Sequence, residues 1–164
     1  MKSKIFTPVW CCVALVLFSC NKKGELTTAD PVDPAQIKTE IQAMENAFAS
    51  ALSMGEIDDL SYYADDATSY PYDRAPAVGK IAIHKDMKDE LGVRPKGTKV
   101  TYITNEVFPS ADGNHVVELG SYKVSDSTST LLFSGNFMAY FEKRDGKYYC
   151  VRDMATSDRP KDAR

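Results

Sequence analysis

Hydrophobic and polar positions divide the chain into a helical part followed by a β-rich part. Over residues 34–54 apolar side chains recur at spacings of three and four, which is the period of an amphipathic helix. These positions are Ile37, Ile41, Met44, Phe48 and Leu52. Asp33 and Pro34 suit the start of this helix, and Gly55 suits its end. Shorter apolar repeats predict a second helix over residues 56–63 and a third over 79–92.

After Gly97 the pattern changes to runs that are rich in β-branched and aromatic residues. Four such runs cover residues 98–109, 114–126, 130–143 and 147–156. Turn sequences separate them, and the pair Asp145-Gly146 is typical of a tight hairpin. A short strand over residues 65–73 is interrupted by Pro71. Three helices followed by a mostly antiparallel sheet predict an α+β domain in which the first helix lies across the sheet.

The first nineteen residues have the features of an export signal. Lys2 and Lys4 precede an uncharged stretch that ends at Phe18. That stretch is shorter than the roughly 20 apolar residues that a membrane-spanning helix needs. The sequence LFSC at residues 17–20 resembles the lipobox of bacterial lipoproteins, where the cysteine is lipidated and becomes the first residue. An ordinary signal peptide that is cut elsewhere is the alternative.

The domain boundaries follow from this interpretation. Residues 1–19 would be removed as a lipoprotein signal peptide, and the polar residues 20–33 would form a flexible tether. The folded domain is then expected over 34–160, with a short tail at 161–164. The expected location is outside the cytoplasm, on the periplasmic side or in the cell envelope, with the protein anchored to a membrane through lipid on Cys20.

Charge and cysteine content narrow the possible partners. The whole chain has a formal net charge of −3, and loss of Lys2 and Lys4 would make it −5. An acidic chain is a poor candidate for binding nucleic acid, which depends on neutralising phosphates. After processing, Cys150 would be the one cysteine left without lipid, so no internal disulfide is expected. Its position inside a β-run predicts an inert, buried thiol.

Three stretches resemble the NTF2-like superfamily, in particular its SnoaL-like and DUF4440-type members. They are ALSMGEIDDLSYYADDATSYP at 51–71, VGKIAIHKDMKDEL at 78–91 and FEKRDGKYYCVRDMATSDRP at 141–160. Their order matches the family's opening, its third helix and its final hairpin. The resemblance implies a cone in which three N-terminal helices pack on a curved sheet and a pocket opens at the wide end.

The resemblance also allows a test for isomerase chemistry. Ketosteroid isomerases of this fold use a carboxylate base, a tyrosine and a protonated aspartic acid. An ungapped count puts Pro71 or Tyr70, Phe48 and Met138 at those positions. Chemistry of that kind is therefore disfavoured, although Asp73 could supply a carboxylate if its loop folds back.

No metal or cofactor is predicted. His84 and His115 are the only histidines, and neither has cysteine or acidic partners at ligand spacing. The sequence has no glycine-rich phosphate loop and no Gly-x-Ser-x-Gly motif.

Alternation in the third β-run separates two faces. One face carries Ser134, Asn136, Met138 and Tyr140, and the other carries Phe133, Phe137, Ala139 and Phe141. The resemblance at Met138 implies that the first face points into the cone. The predicted pocket residues are then Tyr70, Tyr72, Glu118, Tyr122, Asn136, Met138, Tyr140 and Asp153. The second face would be an exposed apolar patch, and because NTF2-like domains often pair sheet to sheet, we expect a homodimer.

Two functional hypotheses remain, with a third behind them. The first is a tethered protein that binds a small, partly apolar molecule without changing it. The second is a SnoaL-like enzyme in which Asp153 or Glu118 performs acid–base chemistry. A raised carboxyl pKa in the pocket would favour the enzyme, because a general base is tuned toward the working pH. A protein-interaction module is the third possibility.

Overall fold

A long helix, α1 (Pro34–Met54), opens the part of the chain that the computed structural model describes, residues 32–159. Its first turn is capped by Asp33, whose side chain accepts a hydrogen bond of 2.9 Å from the Ala35 N–H. It ends at Gly55, whose φ of 78° is left-handed. The predicted limits of this helix are confirmed. The predicted signal peptide, Cys20, nearly all of the tether and the 161–164 tail lie outside the described residues.

The predicted second helix is wrong. Residues 56–62 form an irregular segment with a turn, in which the Leu60 N–H donates to the Ile57 carbonyl at 3.2 Å. Ile57 is 1% exposed and anchors the segment in the core. Two apolar positions span a single turn, which is too short to offset the cost of starting a helix. The described residues therefore contain two helices instead of the three expected, the second being α2 (Lys80–Val93).

Six strands form one mixed sheet in the order β2-β1-β6-β5-β4-β3. They are β1 (Tyr63–Tyr70), β2 (Ala77–Val78), β3 (Lys99–Pro109), β4 (His115–Ser125), β5 (Leu131–Arg144) and β6 (Lys147–Ala155). The four predicted β-runs match β3 to β6 to within one or two residues. Every pairing is antiparallel except that of β1 with β6, which is parallel. In the last hairpin both Asp145 and Gly146 have positive φ.

Helix α1 is fastened to the edge strand β3 by side chains that bind its backbone. Gln42 accepts from the Thr104 N–H at 2.8 Å and donates to the Tyr102 carbonyl at 3.1 Å. Lys38 donates to the Asn105 carbonyl at 2.6 Å, where the register of β3 shifts. The helix thus covers an edge that would otherwise be open to pairing with another chain. These hydrogen bonds also fix the position of α1 relative to β3.

The faces of β5 are the reverse of the prediction. Phe133, Ala139 and Phe141 are buried in the core, and Phe137 packs against it. Asn136 and Met138 point to the outer face, where Met138 is 43% exposed. The row of phenylalanines that was expected to form an exposed interface therefore belongs to the interior. Alternation identifies the two faces of a strand but does not tell which of them points inward. Register shifts in β3, β4 and β5 also mean that residues cannot be matched to family positions by counting without gaps.

Candidate functional site

A cavity of ≈ 140 Å³ lies between α1, α2 and the inner face of the sheet. A cavity of about 150 Å³ holds a benzene molecule, so this space suits one small ring. Part of its wall is the ring of Phe137, which lies so close over Gly120 that a Cβ there would meet it at 2.1 Å. Most of the other lining side chains are aromatic or aliphatic, including Phe48, Leu52, Ile83, Met87, Tyr102, Tyr122 and Phe133.

Asp153 is the carboxyl group that β6 presents to the cavity. The Tyr63 hydroxyl donates to its Oδ2 at 3.2 Å, while Oδ1 is buried without a hydrogen-bond partner among the described residues. Burial raises the pKa of Asp153 to about 6, and the neighbouring Ser69 and Tyr63 hydroxyls offset part of that effect. A carboxyl with this pKa can gain or lose a proton near neutral pH.

Glu45 and Glu118 form a second carboxyl cluster where α1 meets β4. Both are 0% exposed, and Glu45 also lines the cavity. Burial, together with the charge of Glu118, raises the pKa of Glu45 well above its usual value. Burial raises the pKa of Glu118 to about 6. Two adjacent buried carboxyl groups cannot both ionise cheaply, so the pair should retain a proton near neutral pH.

Tyr62 joins this cluster to the aromatic core. Its hydroxyl donates a hydrogen bond to Glu45 Oε1. Its ring stacks on Phe48 with centroids 4.3 Å apart and meets Tyr63 edge-on at 4.9 Å. Burial raises the pKa of Tyr62 and of Tyr63 well above the usual value. Both therefore remain hydroxyl donors at any physiological pH, and they hold the carboxyl groups of Glu45 and Asp153 in place.

Two arginines on the cavity wall have different surroundings. Arg74 contacts Asp73 at 3.1 Å, Asp86 at 3.2 Å and Glu90 at 3.6 Å. Arg94 pairs with Glu90 alone through Nη2, and its Nε and Nη1 atoms are buried without partners among the described residues. The charge of Arg74 is therefore well compensated, and that of Arg94 is only partly so.

The predicted pocket residues divide into three groups. Tyr70, Tyr72, Tyr122 and Asp153 line the cavity. Glu118 faces inward, as predicted, but lies beside Glu45 and does not reach the cavity wall.

Asn136, Met138 and Tyr140 lie on the outer face of the sheet. There the Tyr140 hydroxyl forms a 2.8 Å hydrogen bond with His115 Nδ1. These three residues therefore lie on the opposite side of the sheet from the predicted pocket residues that line the cavity.

Glu45 and Arg94 were missed by sequence reasoning. Glu45 stands four residues after Ile41 and three before Phe48, so it occupies the buried stripe of α1. An acidic residue inside an apolar stripe is a signal that could have revealed it. Arg94 follows the last residue of α2, and nothing in the sequence indicates which way its side chain turns.

Other features of the described residues limit the chemistry of the site. Within residues 32–159 no group of three or more histidine, cysteine or acidic side chains is arranged to hold a metal. Cys150 is 0% exposed, so the predicted burial of its thiol is confirmed, and burial raises its pKa well above the usual value. No helix in this part of the chain has the length and hydropathy needed to cross a bilayer.

Known structures give the fold its name. No protein-family model matches the sequence, and no curated protein matches it. A Nostoc punctiforme protein of unknown function with a cystatin-like fold is 16% identical, with a TM-score of 0.65 over 76% of this chain and 93% of that one. An NTF2-like protein of unknown function from Pseudomonas putida is 13% identical, with a TM-score of 0.60 over 74% and 87%. The fold is NTF2-like.

Several neighbours with this fold have enzyme names, among them a ketosteroid isomerase-like protein from Erwinia carotovora. A putative scytalone dehydratase from Novosphingobium aromaticivorans is 15% identical, with a TM-score of 0.64 over 75% of this chain and 85% of that one. At such identity the likeness extends to the fold and not to the residues of the site.

Proposed function

We propose that this domain binds a small, partly apolar molecule of about one ring in the cavity between α1, α2 and the sheet. The observation that carries the proposal is the combination of aromatic walls with two buried, tyrosine-held carboxyls, Asp153 and Glu45, in a space of ≈ 140 Å³. Ligand sites are typically apolar concavities with a few polar groups that fix orientation. The space is neither filled by side chains nor lined by a continuous charged surface.

Binding can be tested by filling the cavity from a position that does not disturb the outer face. Ala155→Leu adds three carbon atoms at the cavity wall. Its matched control is Met154→Leu on the neighbouring outer-face residue, which is 52% exposed. We expect single-ring compounds to raise the melting temperature of the wild type and of Met154→Leu, and to have little effect on Ala155→Leu. Equal responses from all three proteins would contradict binding in this cavity.

A second candidate function is proton transfer to or from the bound molecule by Asp153. The observation that favours it is that burial raises the pKa of the Asp153 carboxyl to about 6, while this carboxyl accepts a hydrogen bond from the Tyr63 hydroxyl. Bound compounds with acidic C–H groups should then exchange hydrogen for deuterium in D₂O, as followed by NMR. Asp153→Asn should abolish the exchange and keep binding. Exchange that survives this change would exclude Asp153 as the base.

The location of the protein is part of the proposal. We propose an exported lipoprotein that is tethered to a membrane through lipid on Cys20, on the evidence of the LFSC sequence at 17–20. Cys20→Ser should leave the precursor uncut and without lipid. Mass spectrometry of the native protein should find a lipidated Cys20 and no Trp10, and an unmodified Cys20 would contradict the tether.

A homodimer is also proposed, with the outer face of the sheet as its interface. Leu119, Met138 and Met154 are paired in register across β4, β5 and β6 and form an apolar row on that face. Met138 is 43% and Met154 52% exposed, which favours an interface at this place. Met138→Asp should convert a dimer to a monomer in light scattering at micromolar concentration. A wild type that is already monomeric would contradict the dimer.

A further inference from the structure

The Arg94 side chain is a largely buried cation whose hydrogen-bonding capacity is mostly unused. Its side chain is 15% exposed, and it lines the cavity at the end of α2. An arginine carries five N–H donors, of which one is on Nε and two are on each Nη. Nη2 meets Glu90, while Nε and Nη1 are buried and have no acceptor among the described residues. Three donors of a charged group are therefore without partners.

Such an arrangement is costly unless something else compensates it. An unsatisfied buried donor costs free energy, and the cost is greater when the group is charged. Glu90 does not offset the charge fully, because it also faces Arg74 at 3.6 Å. Burial raises the pKa of Tyr102, and the nearby charge of Arg94 offsets part of that rise, yet a tyrosine ring does not neutralise a guanidinium. An acceptor with negative charge would satisfy these donors and offset the charge.

Arg74 gives the internal comparison. It lines the same cavity, but it has three carboxylate neighbours, Asp73, Asp86 and Glu90. Its side chain is also 40% exposed, so water can reach it and no ligand is needed to offset its charge. The two arginines thus differ in the feature that a bound anion would use.

We propose that Arg94 binds the anionic group of the ligand, and that the ligand class is a small organic anion of about one ring, such as an aromatic or alicyclic carboxylate. This inference rests on the proposed binding function and specifies its ligand. The ring would occupy the space beside Tyr102 and Phe133, which line the cavity near this arginine. Guanidinium and carboxylate groups match in charge and in planar geometry.

Benzoate and benzamide provide a matched pair of probes, since they share a ring and a planar group and differ in charge. Each is titrated by calorimetry into the purified full-length protein in detergent. Wild type should bind benzoate at least about ten-fold more tightly than benzamide, the factor expected for hydrogen bonds to a charged group. Arg94→Gln should remove that preference and leave benzamide binding nearly unchanged. Arg94→Lys keeps the charge and loses the planar group, so its preference for benzoate should lie between those of the wild type and Arg94→Gln.

Arg144→Gln is the control variant, because Arg144 is an arginine outside the cavity that pairs with Asp66 and Glu142. Its benzoate preference should remain within about three-fold of the wild type if the effect is specific to Arg94. Equal losses from Arg144→Gln and Arg94→Gln would overturn the assignment to Arg94. If benzamide binds and benzoate binds no more tightly, this inference is overturned and the proposed binding function still stands. Binding of neither probe by a folded wild type, as judged by circular dichroism, would count against both.

Discussion

Replacing Asp153 with asparagine should make the protein more stable at neutral pH. Burial raises the pKa of this carboxyl from 3.8 to about 6, so folding opposes its ionisation. A difference of roughly two pKa units corresponds to about 3 kcal/mol of free energy of unfolding. Asparagine has nearly the same shape and keeps an oxygen that can accept from the Tyr63 hydroxyl. The change should therefore recover most of that free energy.

The gain should depend on pH in a defined way. Below pH about 3.8 the carboxyl is protonated in both the folded and the unfolded chain, so the two proteins should be almost equally stable. Between about 4 and 6 the unfolded wild type loses its proton first, which lowers the free energy of unfolding of the wild type alone. Above about 6 the difference should be constant. Stability of the variant should thus exceed that of the wild type only as pH rises through this window.

Urea unfolding followed by circular dichroism measures the effect directly. The two proteins are compared at pH 3.5, 5 and 7.5, with Asp65→Asn as a control. The Asp65 side chain is 97% exposed, so its replacement should change the free energy of unfolding by less than about 0.5 kcal/mol. A variant that is less stable than the wild type at pH 7.5, or a difference that is the same at all three pH values, would refute the reasoning.

Four further substitutions test the interior and the two faces of the sheet. Arg94→Met should raise the free energy of unfolding by about 1 kcal/mol at pH 7, because it removes a buried charge with incomplete partners; a loss in urea unfolding would contradict this. Phe137→Asp should cost about 3 kcal/mol or prevent folding, whereas Met138→Asp on the exposed face should cost less than about 1; the opposite order in the same assay would restore the original assignment of the faces. Gly135→Ala should lower the melting temperature, since its Cβ would lie 2.1 Å from a carbonyl oxygen; an unchanged value would show that β6 yields there.

The sequence predicts most of the framework because the elements carry their own signals. The apolar stripe, Asp33 and Gly55 define α1, and the turn residues define four of the six strands. The 56–62 segment fails because Ile57 and Leu60 have helical spacing, and the tertiary contacts of Ile57 decide its conformation. Periodicity reports which positions are apolar, and it does not report whether one turn of helix is stable.

The site is predicted only in part, for two physical reasons. Tyr122 faces inward together with Glu118, because alternation along β4 puts these two side chains on one face. Met138 was misplaced for two reasons. The outer face of β5 is itself partly apolar, so the sequence does not tell which side points inward, and register shifts between β5 and its neighbours invalidate an ungapped count. Arg94 was not found because a long side chain at a helix end can turn toward solvent or toward the cavity, and packing alone decides which.

The parallel pairing of β1 with β6 has a consequence for folding during synthesis. It joins the first strand of the sheet to the last, and the Tyr63–Asp153 hydrogen bond spans 90 residues of chain. Contacts so distant in sequence form slowly, because a long loop must close before they contribute. The cavity therefore does not exist on a growing polypeptide until β6 has been made. A ligand that binds there can recognise only a domain in which β1 and β6 have paired, and it should act by slowing unfolding rather than by guiding the early steps of folding.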